Sequence, residues 1–117
     1  MSQSTRRSFA LAALLALGVA PLAAAAGKEA SGQDLYKAHC KVCHAAGSPH
    51  GEYTPMTLIQ DQWERFFATK YQAKHQEQSL PDGRKVMDAI TPDQLAKIKK
   101  FAVDHAADSE QPMTCGK

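Results

Sequence analysis

Residues 39–44 read H-C-K-V-C-H and hold two of the three cysteines, Cys40 and Cys43, with two of the five histidines, His39 and His44. Two thiols separated by two residues suit three kinds of chemistry. They supply half of a tetrahedral zinc site, which takes its other ligands from a second such pair or from histidines. They cycle between dithiol and disulfide when the pair follows a strand in an α/β unit. With a histidine directly after the second cysteine, they add across the two vinyl groups of a haem. Each S–H becomes a thioether, and the imidazole meets the iron. The remaining cysteine, Cys115, stands alone near the C-terminus, and no second C-x-x-C or H-x-x-x-H accompanies it.

The elements around this motif read as all-α. Ser31, with Asp34 three residues on, forms a capping pattern for a first helix that runs into the motif and ends close to Cys43 and His44. Residues 45–57 are rich in Gly, Ser, Pro and Thr and read as loop. A second helix is expected over 58–74, where Ile59, Trp63, Phe66, Phe67 and Tyr71 recur at three- and four-residue spacing. Pro81-Asp82-Gly83 marks a turn. The third helix starts at Thr91 as N-cap, with Pro92 at its first position and Gln94 completing a capping box. Leu95, Ile98, Phe101 and Ala102 form its apolar face. No alternating strand or repeat is evident, which removes the context that dithiol exchange requires.

The first 26 residues carry Arg6 and Arg7, then an Ala- and Leu-rich run, then small residues with Ala24 and Ala26 in an A-x-A arrangement. This is the layout of a secretory signal peptide cleaved near Ala26, with an uncleaved anchor as the alternative and Sec or twin-arginine export both open. Those arginines are the only charges before Gly27, so the remaining chain balances 12 basic against 12 acidic side chains. Such a balance gives no footprint for nucleic acid. The expected organisation is a leader at 1–26, one small domain at 27–107 and a polar tail at 108–117. Three cysteines in an exported chain cannot all pair internally, so a free thiol or an intermolecular disulfide through Cys115 is expected. Export also favours covalent haem, and Cys40, Cys43 and His44 are used together only on that assignment.

In motif and layout, Gly27 to about Ala107 resembles the small class I monohaem cytochromes c. The resemblance implies a cytochrome c-like fold with three main helices around one haem c, held covalently by Cys40 and Cys43 with His44 as proximal ligand. It implies that the N- and C-terminal helices cross through a glycine and aromatic residues, here Gly32, Tyr36 and Phe101. It places the second axial ligand on a loop before the last helix, where Met87 stands, with His75 as the rival. Met56, Met113, His50 and His105 are the other candidates. Pro55, or else Pro49, would offer its carbonyl to His44 Nδ1, and Trp63 would pack on the haem with its indole N–H directed to a propionate. The implied function is periplasmic electron transfer between partner proteins, with no enzymatic step and no lasting membrane insertion. The alternatives are a haem subunit or docking module of a periplasmic oxidoreductase, and a ligand-binding haem protein with an open sixth site. Lys37, Lys41, Arg84, Lys85, Lys97 and Lys100 would steer an acidic partner.

Overall fold

The computed structural model describes residues 27–114, so the expected leader (1–26) and Cys115 lie outside the described residues. Within them the chain is helical, and its sole β feature is an isolated antiparallel bridge between Ser79 and Lys85. Helix α1, Gly32–His39, starts where the capping pattern puts it. Ser31 Oγ accepts from the Asp34 N–H at 3.1 Å, and the Asp34 carboxylate accepts from Ser31 Oγ at 2.7 Å. These bonds hold the Asp34 carboxyl below its ordinary pKa range. The helix is interrupted at Cys40, whose N–H still donates to Tyr36 O, and a short α2, Lys41–His44, carries the rest of the motif.

After the loop, Pro55–Thr57 forms a 3₁₀ turn that leads into the aromatic helix. That helix is not uniform. It consists of α3 (Gln60–Arg65), a π-helical segment (Phe66–Lys70) and α4 (Tyr71–His75). It starts two residues later than the periodicity suggests because Ile59 adopts an extended conformation and serves as the cap. The Pro81-Asp82-Gly83 turn forms as expected, with Gly83 at φ +88°, a value that costs glycine little. A further short helix, α5 (Val86–Ala89), occupies what the sequence suggests is loop. The last helix, α6 (Pro92–Asp104), carries its capping box at Thr91 and Gln94.

The core forms where α1 lies across α6. Leu35, Tyr36, Ile98 and Phe101 are buried there with Tyr71, Leu80, Val86 and Ile90, and the Tyr36 and Phe101 rings sit 5.5 Å apart. A second cluster joins Trp63 to Ala102 of α6 and Ala106 just after it, and Phe66 and Phe67 pack against both clusters. The stretch after α6 is tied to this body rather than loose. Asp108 accepts from the Gln60 N–H at the start of α3, Ala107 N–H donates to Leu58 O, and Met113 packs on the first cluster. No helix among the described residues is long and apolar enough to cross a membrane.

The crossing depends on Gly32. A methyl group there would fall inside contact distance of the Lys97 carbonyl oxygen and 2.9 Å from Phe101 Cβ. Both obstacles belong to the packed face of α6, so the helices would have to separate. Gly32→Ala should therefore cost about 1–3 kcal/mol, as overpacking does. It should appear as a lower urea midpoint with an unchanged slope; a midpoint at the parent value would contradict the close crossing.

Candidate functional site

Cys40, Cys43 and His44 line one wall of a cavity of about 340 Å³. That volume lies within the range of small-molecule and cofactor sites. The break at Cys40 explains how the three are arranged. Cys43 N–H and His44 N–H both donate to Cys40 O, at 3.1 and 3.0 Å, so a single tight turn carries the whole motif. Both cysteines are free thiols and half-buried. Burial, with the Cys43 thiol adjacent, pushes the Cys40 pKa up to about 12, so Cys40 stays protonated at neutral pH. Among the described residues, no three His, Cys, Asp or Glu side chains converge to hold a bare metal ion.

His44 is oriented by the loop that follows it. Its Nδ1 is 3.0 Å from Gly51 O. A carbonyl can only accept, so Nδ1 carries the proton and Nε2 keeps its lone pair. The carbonyl in this role is that of Gly51, not Pro55 or Pro49. Gly51 stands at φ +85°, Ser48 Oγ donates to Cys43 O, and Tyr53 N–H returns to His44 O at 3.0 Å. This folded loop brings residue 51 to the imidazole. The carbonyl of Pro55 is engaged elsewhere, accepting the Trp63 indole N–H at 2.8 Å in a fully buried bond. Trp63 does line the cavity, but its N–H is committed to that bond and not free for a propionate.

The aromatic helix supplies the opposite wall. Trp63, Phe66, Tyr71 and His75 form a chain of ring contacts: Trp63–Phe66 at 6.0 Å, Phe66–Tyr71 at 6.4 Å and Tyr71–His75 at 4.8 Å. The spacing along this chain is three, five and four residues. The five-residue step is the π-turn, where Tyr71 N–H donates to Phe66 O. At about 100° per residue, an unbroken α-helix would set His75 about 120° round from Trp63 and put Lys74 within about 20° of it. The extra residue in the π-turn shifts the register by about one position, and His75 lines the cavity beside Lys74.

His75 is held much as His44 is. Its Nδ1 is 2.8 Å from Tyr71 O, and its ring stacks on Tyr71 at 30°. Burial lowers its pKa, the Tyr71 carbonyl partly offsets this, and nearby His44 lowers it further, which favours the neutral ring. Burial raises the Tyr71 hydroxyl to about 12, and it raises that of Tyr36 as well, whose OH donates to Tyr53 O at 2.5 Å.

Met87 is placed elsewhere. Val86 in α5 and Ile90, the extended residue that caps it, line the cavity. Met87 follows Val86 by one residue, about 100° further round, and lines a separate surface hollow with Phe67, Tyr71 and Leu95. Met56 is exposed, Met113 packs on the core, and His105 bonds Gln111 O at 2.7 Å, away from the cavity. His39 has no role assigned by the motif. It lines the cavity, and its Nδ1 is buried with no hydrogen-bond partner. Its place directly before Cys40 was the available signal.

Three of the six basic side chains expected to steer an acidic partner have acidic neighbours. Arg84, Lys97 and Lys100 are paired with Asp82, Glu29 and Asp104.

The Trp63–Pro55 bond ties the cavity wall to the second core cluster. Trp63→Phe keeps the ring but removes the donor, leaving a buried carbonyl unpaired at a cost of about 1–3 kcal/mol. Thermal and urea unfolding should both register this loss, and equal stability of the two proteins would rule the bond out as a support. No family model, curated protein or solved structure matches the chain.

Proposed function

We propose that the chain is an exported, single-haem c-type cytochrome that carries electrons between redox partners in the periplasm. The observation that supports this most directly is the shared cavity wall of Cys40, Cys43 and His44, faced by aromatic side chains. The residues fit the group on three counts. The two thiols lie in one turn and suit attachment at two neighbouring points. The His44 imidazole has its Nδ1 proton engaged and its Nε2 free, the state a metal-binding histidine requires. The wall also holds a buried polar atom with no protein partner, His39 Nδ1.

When bound, a haem supplies a reversible one-electron ferric/ferrous couple. The chain's own contribution is fixation and exclusion. Cys40 and Cys43 hold the group, the Gly51 carbonyl keeps the His44 ring at a fixed orientation, and Trp63, Phe66 and Tyr71 keep water from the apolar side. His75 on the opposite wall favours electron transfer over the open-site, ligand-binding alternative.

The test is expression with export and haem-attachment machinery. The mature chain should begin near Gly27, gain the mass of one haem and give a c-type pyridine haemochrome spectrum. Cys40→Ala/Cys43→Ala should lose the covalent haem entirely. An exported chain that keeps two alkylatable thiols at Cys40 and Cys43 and no haem mass would overturn the proposal.

A further inference from the structure

We infer that His75 is the second axial residue of this site, opposite His44, and that Met87 does not serve there. The inference rests on the haem assignment above and adds the identity of the distal group.

Four observations carry it. First, the His44 and His75 ring centres lie 6.2 Å apart with their planes at 79°. Two metal–nitrogen bonds of about 2.0 Å, together with the two ring radii, span a distance of this size. Second, both rings give their Nδ1 proton to a backbone carbonyl, Gly51 for His44 and Tyr71 for His75. Each therefore keeps Nε2 as its free nitrogen, and each carries the outer bond that fixes a ligating imidazole. Third, both residues line the same cavity, whereas Met87 lines a different hollow. Fourth, the π-turn at Phe66–Lys70 shifts the helix register by about one position ahead of His75. Such turns interrupt a helix at a cost and recur where a side chain must be re-aimed.

Two other histidines line the cavity: His39, which makes no ring contact with His44 among the described residues, and the closer rival His50, whose ring lies 6.4 Å from that of His44. His50 is exposed and its ring makes no hydrogen bond among the described residues, whereas His75 is half-buried, stacked on Tyr71 and fixed at Nδ1. Pre-organisation separates the two. An anchored ring loses little freedom on ligation, and a free surface ring loses more.

The consequence concerns the class of partner. A thioether ligand raises the potential of a haem, and a pair of imidazoles lacks that effect. The protein would therefore exchange electrons with low-potential donors and acceptors, and its filled sixth position would leave small ligands without a site.

Absorption and electron paramagnetic resonance spectra of the exported holoprotein test the inference. The parent protein should be low-spin and six-coordinate in the ferric state, without the charge-transfer band at the red edge of the visible that marks methionine ligation. Met87→Ala should leave the spectrum unchanged. His75→Ala should become high-spin and bind cyanide, and added imidazole should restore the low-spin spectrum, which separates loss of a ligand from loss of the fold. His75→Met should gain the methionine band and a higher potential. A methionine band in the parent, or a His75→Ala protein that keeps the parental spectrum, would overturn the assignment of His75. A chain with no haem in the haemochrome assay would instead overturn the functional proposal beneath it, and that assay does not depend on which residue ligates.

Discussion

The close crossing of α1 over α6 sets the position of everything the site uses. Gly32 lets the Lys97 carbonyl approach the backbone of α1, and this seats Tyr36 against Phe101 one turn further along. The C-terminal end of α1 is then fixed over the core, and Cys40 is its cap. Both thiols and His44 lie within the next five residues, 40–44, too short a distance for the chain to wander. A domain of this size buries few large side chains, so a single well-made contact between its first and last helices has a disproportionate effect on where the rest can lie.

From that fixed end, two backbone carbonyls and one irregular helical turn build the cavity. Gly51 and Tyr71 each offer a carbonyl to an imidazole Nδ1. One belongs to a loop residue with positive φ and the other to a helical residue one turn back. Neither interaction uses a charged group, which suits rings that face an apolar space and must stay neutral to keep a lone pair. The π-turn gives up regular α-helical bonding, and Phe66, Tyr71 and His75 share one wall.

Much of the helical architecture is legible in the chain. The capping boxes at Ser31 and Thr91 rest on side chains that bond within three residues, so local sequence is sufficient to place them. The meeting of Gly32, Tyr36 and Phe101 at the crossing is expected from the family resemblance and not from the residues alone. Other features are not local. Periodicity marks the aromatic helix but assumes 3.6 residues per turn throughout, and it therefore misses the π-turn and puts Ile59 inside a helix that starts after it. Residues 86–89 carry no cap and too few residues to show a pattern, so α5 is hidden, and with it the fact that Val86 and Ile90 occupy the wall in place of Met87.

By itself the sequence determined the chemical vocabulary: two thiols and an imidazole in one turn, an all-helical frame, and a short set of further histidines and methionines. Local bonding and side-chain type are enough for that. The tertiary structure decided which of those residues meet. Whether Gly51 or Pro55 reaches His44, whether Trp63 has a free N–H, and whether His75 or Met87 faces the cavity all depend on loop closure and on the rotation of a helix about its axis. A shift of one residue turns a helical side chain by about 100°, and no spacing rule read along the chain records that shift when packing imposes it.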